Sequence, residues 1–346
     1  MALSVGIVGF PNVGKSTLFQ TLTKKQVDCA NYPFCTIDPN VGIVEVKDKR
    51  VLELVKIFNP KKTIYCTVQF TDIAGLVEGA SRGEGLGNRF LANIRETDVI
   101  VYVLRAFEDS NISNVLDSVN PKKEIELLNT ELIFKDLETV DKRINSLEKE
   151  IRAQKKEAKK EMEVFLRAKG ILEKGEVLID SNLEQEDIEL LKPYQLLTIK
   201  PRIYLLNGKK GEVDEFDDCI VMDILNEFEF SNFSPAERLE LGLSEESGID
   251  QLVQKAYELL NLITFFTVGS DEVRAWEIKR GYLAPEAAGV IHTDFERAFI
   301  KADVINYQEF IKIKDMTEAR KKGLIRMEGK EYVVQDGDIM EIKSGV

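Results

Sequence analysis

The residues best suited to chemistry lie close to the amino end. Gly9-Phe10-Pro11-Asn12-Val13-Gly14-Lys15-Ser16 fits the pattern GxxxxGK[ST]. It sits between an apolar run at 3–8 that reads as a strand and a stretch at 15–23 that reads as a helix, the context this motif requires. The spacing has a physical reason. Backbone amides along such a loop converge on an anion, and the helix N-terminus that follows adds its dipole. Gly9 and Gly14 permit the turn and the close approach of main chain to phosphate. Lys15 can neutralise β- and γ-phosphate oxygens, and the Ser16 hydroxyl can take a place on Mg²⁺. Phe10, Pro11, Asn12, Val13 and Thr17 complete the candidate cradle.

A second constellation follows. Asp72-Ile73-Ala74-Gly75 follows a strand read at 67–71, as DxxG does in G-protein-like enzymes. There the acid holds Mg²⁺ through water and the glycine amide senses the γ-phosphate. Between the two motifs lies Asn31-Tyr32-Pro33-Phe34-Cys35-Thr36, whose Thr36 is placed as a switch threonine on the metal, with an ordinary loop threonine as the alternative. After Gly75 stands Leu76, where Ras-like enzymes carry the glutamine that orients the attacking water. Leu76 has no hydrogen-bonding group, so hydrolysis must be slow or assisted. The assistance would come from another group, from the substrate phosphate, or from a monovalent cation. Asn12 holds the loop position that serves K⁺ in some GTPases.

The base-reading loop departs from the GTPase pattern. GTPases end a strand with NKxD, whose Asp accepts from guanine. Here the run at 201–206 leads into Asn207-Gly208-Lys209-Lys210, with lysine in place of the carboxylate. Losing that charge-assisted pair of hydrogen bonds removes roughly 2–4 kcal/mol of guanine preference. A cation also repels guanine's donors, so strict GTP specificity is disfavoured.

The elements that position these residues read as an α/β sheet, with strands at 3–8, 41–46, 67–72, 99–105 and 201–206 and helices at 15–23 and 87–96. From 122 to about 173 apolar residues recur at spacings of four and three (Val140, Ile144, Leu147, Ile151), and Ala158, Met162 and Phe165 continue the phase. That is a coiled-coil seam, one long helix or a hairpin, since no Gly or Pro marks a turn between Ile151 and Lys169. Residues 212–250 are strongly acidic, with Arg238 the sole base, and precede a helix at 249–260. The last 80 or so residues read as a small α+β unit with β-rich runs at 263–266, 299–304, 332–334 and 339–342.

Composition closes off other chemistries. The 346 residues suffice for two or three domains without staples. With a net charge of −13, a surface that is basic throughout is excluded, so any basic site is local. His292 is the only histidine, and the four cysteines (Cys29, Cys35, Cys66, Cys219) form no CxxC. Zinc fingers, HExxH proteases and disulfide frameworks are therefore ruled out, and His292 reads as structural or RNA-facing. No apolar run approaches the roughly 18 residues of a membrane span, and the N-terminus lacks the basic start of a signal peptide, so a cytoplasmic protein with no membrane partner is expected. A metabolic kinase fits poorly, because switch-type residues stand where an acceptor pocket with a general base is needed.

Taken together, GFPNVGKS (9–16), NYPFCTIDPN (31–40) and DIAGLVEGASRGEGLGNRFLANIRE (72–96) resemble the YchF/Obg-like ATPase family of Obg-related translation-factor P-loop proteins. AAGVIHTDFERAFI (287–300) and YVVQDGDI (332–339) resemble a TGS domain, the β-grasp module shared with threonyl-tRNA synthetase. The resemblance covers nearly the whole chain. It implies a Ras-like nucleotide domain (1–121 and 197–262), a helical coiled-coil insertion (122–196) and a C-terminal TGS domain (263–346). It also implies Mg²⁺-dependent hydrolysis of ATP in preference to, or alongside, GTP, with Leu76 matching the family's hydrophobic replacement for glutamine. The family carries NxxE at the base loop; Asn207 matches and Lys210 does not.

The resemblance points to the ribosome (its large subunit) or RNA as partner, with an unidentified protein regulator. Independently, Lys149, Arg152, Lys155, Lys156, Lys159, Lys160, Arg167 and Lys169 face four acids along the coiled coil. That local surplus suits phosphate contacts, and a solvated helical face is the alternative. Cys35, beside Thr36, is either a redox-sensitive switch residue or a small buried hydrophobe. The expected function is a slow Mg²⁺-dependent triphosphatase acting as a nucleotide switch. Its rivals are a nucleotide-gated RNA- or ribosome-binding module with negligible turnover and a GTP-preferring GTPase.

Overall fold

A computed structural model describes residues 4–24, 40–73, 93–113, 116, 118–211 and 215–345. In chain order the strands are β1 (Ser4–Val8), β2 (Val41–Glu45), β3 (Lys62–Ile64), β4 (Thr67–Asp72), β5 (Val99–Arg105) and β6 (Arg202–Asn207). Then follow β7 (Cys219–Met222), β8 (Leu262–Val268), β9 (Glu272–Lys279), β10 (Phe299–Asn306), β11 (Arg326–Glu328) and β12 (Asp338–Ser344). Helices α1 (Lys15–Lys24), α2 (Lys49–Phe58), α3 (Pro121–Arg152) and α4 (Ala158–Glu173) carry most of the argument. The described residues form two compact units, 4–24 with 40–42 and 69–251, and 43–68 with 252–345.

In the first unit the sheet runs β2-β4-β1-β5-β6-β7. β1 lies parallel to β4 and β5, β5 to β6, and β6 to β7. Every residue of β1 and β5 is buried, as continuous apolar runs in a parallel sheet require. The α/β reading therefore holds. The helix read at 87–96 falls mostly outside the described residues.

The coiled-coil stretch is a hairpin. Asn120 caps α3, its side chain accepting from the Lys123 amide at 3.1 Å, and Pro121 takes the first helical position, where no amide is needed. The turn between α3 and α4 passes through Gln154 at φ 61°, a left-handed residue that no glycine announces. Val140, Leu147, Ala158, Phe165 and Leu172 are buried along the seam. Arg143 ties the two helices, bonding Glu150 at 2.7 Å and Glu161 at 2.8 Å. Fully buried Asp136 accepts from the Leu197 and Thr198 amides at 2.8 and 2.7 Å, returning the chain to β6. The acidic stretch contributes to the fold. It supplies edge strand β7 and helices Ile224–Glu229 and Pro235–Glu240, and its lone Arg238 is buried against Glu227 at 2.9 Å.

The second unit holds the sheet β11-β10-β12-β8-β9-β3, with buried Phe265, Trp276, Phe299 and Val304 in its core. Residues 43–68, expected within the nucleotide domain, belong to this unit, and β3 pairs in parallel with β9. α2 starts at Asp48, whose side chain accepts from the Arg50 amide, and ends with Phe58 stacked on Phe310 at 5.5 Å. The run read as β-rich at 332–334 is not a strand. Its backbone bonds to a loop, Ala284 to the Tyr332 carbonyl and Val334 to the Tyr282 carbonyl, leaving a single bridge between Leu283 and Val333. Among the described residues no helix is long and apolar enough to cross a membrane.

Candidate nucleotide site

The loop between β1 and α1 has the shape its sequence demands. Gly9 is pressed against β5, where an added Cβ would lie 2.4 Å from the Val103 carbonyl oxygen. Gly14 has φ +106°, and its Cβ would meet the Asn207 side-chain nitrogen at 2.5 Å. Asn12 takes the left-handed conformation at φ 63°. The first intrahelical bond runs from the Leu18 amide to the Gly14 carbonyl. The amides of Lys15, Ser16 and Thr17 precede it, and an α-helix cannot pair these within itself. They form an anion-binding end, with the Ser16 side chain exposed beside them. Phe10, Pro11 and Val13 complete the loop, Val13 buried in its wall.

Lys15 is buried to 8% exposure, and its ammonium donates to the Phe10 carbonyl at 2.5 Å. Burial pulls its pKa down to about 8, opposed by the charges of Asp72 and Glu124. Asp72, at the end of β4, is half-buried and lies within the field of Lys15; burial raises its carboxyl and Lys15 lowers it. A serine hydroxyl and one carboxylate suit Mg²⁺, which keeps several waters and takes phosphate oxygens instead of filling a protein cage. Among the described residues no group of three or more His, Cys, Asp and Glu gathers as a metal cage.

The Asn207 side chain is committed at both ends. Its amide donates to the Val13 carbonyl at 2.9 Å and its oxygen accepts from the Ile224 amide at 3.1 Å. It therefore holds the phosphate loop to the end of β6 and to the helix after β7. Gly208 is buried and its amide bonds the Met222 carbonyl at 3.1 Å, whereas Lys209 and Lys210 are exposed. Asn12 is exposed too, its amide donating to the Ser113 carbonyl at 3.4 Å.

Thr36, Gly75 and Leu76, with Cys35, lie outside the described residues. The structure adds two residues that no motif singled out. Arg105, at the end of β5, is 3% exposed, and its guanidinium donates to the carbonyls of Phe107, Asp109, Ile112 and Ser113 at 3.1–3.2 Å. Glu124, 2% exposed in the first turn of α3, accepts from the Arg105 amide at 3.1 Å. The available signal was a lone arginine ending an otherwise apolar strand.

A sheet in this order, parallel from β4 to β7, with a phosphate loop between its first strand and first helix and an acid at the end of β4, defines a P-loop nucleoside triphosphatase. Residues 4–168 match the family described as a 50S ribosome-binding GTPase, and residues 262–344 match the YchF GTPase C-terminal family, described as a protein of unknown function. The chain is 46% identical to the ribosome-binding ATPase YchF of Bacillus subtilis, with 100% of both chains covered. It is 42% identical to the protein of that name from Mycoplasma genitalium, covering 99% of this chain and 100% of the other. The solved structure of the Schizosaccharomyces pombe YchF GTPase is similar with a TM-score of 0.86 at 36% identity, covering 99% of this chain and 97% of that one. The chain belongs to the YchF family.

Proposed function

We propose that this protein is a slow, Mg²⁺-dependent triphosphatase that takes ATP in preference to, or alongside, GTP and switches its affinity for the large ribosomal subunit. The observation that carries the reading is the contrast within one site: an ordered phosphate cradle at 9–17 beside a base loop that offers exposed Lys209 and Lys210 where guanine needs a carboxylate. In this reading Lys15 and the loop amides hold the phosphates, and Ser16, Thr36 and Asp72 hold Mg²⁺. The Gly75 amide senses the last phosphate, and Leu76 leaves the attacking water without a side-chain guide. Magnesium, when bound, offsets phosphate charge. Asn12 is the residue that would serve K⁺. Relatives named ribosome-binding ATPases support the partner and a cytoplasmic setting.

The division into a nucleotide domain at 1–121 and 197–262, a helical insertion at 122–196 and a TGS domain at 263–346 belongs to the same proposal, except that residues 43–68 and 252–262 group with the C-terminal unit. At the hairpin turn Lys156 and Lys159 are exposed, whereas Lys155, Lys160, Arg167 and Lys169 bond acids. The exposed pair, with Lys149 and with Arg152, which reaches Glu148 only at 4.0 Å, is the part of the tip suited to rRNA phosphates.

Side-by-side calorimetric titration with ATP and GTP, and single-turnover hydrolysis with K⁺ present, test the reading. ATP is expected to bind at least as tightly as GTP, and Lys210→Glu to leave phosphate affinity intact while changing the ATP:GTP ratio. Far tighter GTP binding by the unaltered chain favours the GTPase alternative. Phosphate release no faster than without protein favours a nucleotide-gated binding module. Co-sedimentation with 50S subunits that is insensitive to reversing Lys149, Arg152, Lys156 and Lys159 at low salt removes the hairpin tip from the interface.

A further inference from the structure

Exposed apolar surface and net charge coincide in one part of the first unit. Leu225, Phe233, Leu239 and Leu241 are exposed by 60, 40, 57 and 55%. They are four of the thirteen large apolar residues that are exposed among the described residues. Apolar residues scattered singly on a surface need no explanation, but a group on one short segment marks a contact. The segment lies within residues 212–250, which hold thirteen acids and one base, a net charge of −12 out of −13 for the whole chain.

Hydrogen bonds hold the group in place. Arg238, the one base, is 5% exposed and joins the two short helices of this stretch. Its guanidinium donates to Glu227 at 2.9 and 3.3 Å and to the Ser244 carbonyl at 3.0 Å. Glu227 also accepts from the Gly248 amide at 3.1 Å. Ser234 and Glu237 close a capping box at the start of Pro235–Glu240, and the Leu243 amide returns to the Arg238 carbonyl at 2.9 Å. Phe233 stands edge-on to Phe230, their ring centroids 5.2 Å apart. Leu225, Leu239 and Leu241 each lie within three residues of one end of the Arg238–Glu227 pair, so the three cluster about it. Beside them Glu240, Glu245 and Glu246 are exposed and enter no ion pair among the described residues.

We propose that this face docks a lysine- or arginine-rich protein segment with apolar side chains at helical spacing. Its apolar side chains cover Phe233, Leu239 and Leu241, and its cations meet the surrounding carboxylates. Charge complementarity selects this occupant. RNA and anionic lipid carry the same sign as the carboxylates and are repelled. The hairpin tip of a second copy brings Lys149, Arg152, Lys156 and Lys159, but its nearest exposed large apolar residue, Leu166, stands well inside α4. That tip offers the charge without the apolar half. Because the receiving face is already fixed by its own hydrogen bonds, little ordering is needed on this side when a partner arrives.

The test uses the full chain and a fluorescent amphipathic helix of about eighteen leucine and lysine residues, with a serine–lysine peptide of equal charge as control. In salt of about 0.15 M the unaltered chain should bind the leucine peptide about tenfold more tightly than the control, or better. Leu239→Ser combined with Leu241→Ser should abolish that advantage and leave binding of the control unchanged. Both leucines are more than half exposed, so the double variant should keep the fold, with circular dichroism as the check. Hydrogen exchange in the unaltered chain should slow at amides within 233–246 when the leucine peptide is added. Equal affinity for the two peptides, an advantage that survives the double substitution, or protection confined to other segments overturns the proposal. If the double variant does not fold, hydrogen exchange alone decides. Protection of 233–246 by an rRNA oligonucleotide, or a dimer in sedimentation equilibrium that the double substitution dissolves, also overturns it and assigns the face to RNA or to a second copy.

Discussion

At the phosphate end of the site each backbone position is fixed by something it touches. Gly9 lies on the Val103 carbonyl, Gly14 on the Asn207 amide, and Val13 is tied to Asn207. At the base end only Asn207 and Gly208 are held, and the next two residues are lysines in solvent. The phosphates of every nucleoside triphosphate are alike, so a rigid backbone cradle can serve them all. Bases differ, and a short exposed loop can change its preference without disturbing the fold. The two ends are thus open to perturbation on very different scales.

The largest effect should follow from Gly14→Ala. The new methyl meets the Asn207 nitrogen, and the residue must keep a left-handed φ, together costing about 3 kcal/mol and most nucleotide affinity. Urea unfolding and calorimetry measure both losses, and unchanged ATP binding would break the contrast between the two ends. Asn207→Ala comes next. It leaves the buried Ile224 amide unpaired and frees the phosphate loop, for about 2 kcal/mol of stability, whereas Lys209→Ala should lie within about 0.5 kcal/mol of the unaltered protein.

Without nucleotide, stability should also depend on pH through Glu124. Its carboxyl titrates at about 7 when folded, against its ordinary 4.5, so the folded chain holds a proton that the unfolded chain has released. Stability therefore declines as pH rises through that window, by an amount on the order of 2 kcal/mol, and Glu124→Gln should lack this component of the decline. Unfolding at pH 5 and pH 7.5 checks the sign. A smaller effect on stability, and none on affinity, belongs to the hairpin turn, far from either end in sequence. Gln154→Gly should relieve the left-handed strain, worth about 0.5–1 kcal/mol, with nucleotide affinity unchanged. A change in affinity would couple the turn to the cradle.

These contrasts also explain which parts were legible beforehand. β1 and β5 announce themselves because strands buried on both faces of a parallel sheet are continuous apolar runs, whereas β4 alternates buried Val68 and Phe70 with less buried polar residues. The phosphate loop is legible because its chemistry is local, a set of neighbours bent around one anion. β7 is not, being a four-residue edge strand inside a charged stretch. α2 escaped notice although Asp48 and the spacing of Val51, Leu54 and Phe58 marked it. The hairpin turn carries no glycine, and 332–334 is β-like in composition but finds a loop for a partner. Glu124 and Arg105 stand 19 residues apart and meet only because β5 ends where α3 begins. No pattern of neighbouring residues encodes that meeting.

Arg105 shapes the segment after β5 chiefly by bonding its main-chain oxygens, its guanidinium also lying 4.6 Å over the Phe107 ring. The path of 107–113 is therefore held mostly through its backbone, with Phe107 and Asp109 adding side-chain contacts. Exchanging the segment's remaining side chains should leave that path standing, which makes this flank a socket where new reactivity can be fitted beside an unchanged cradle.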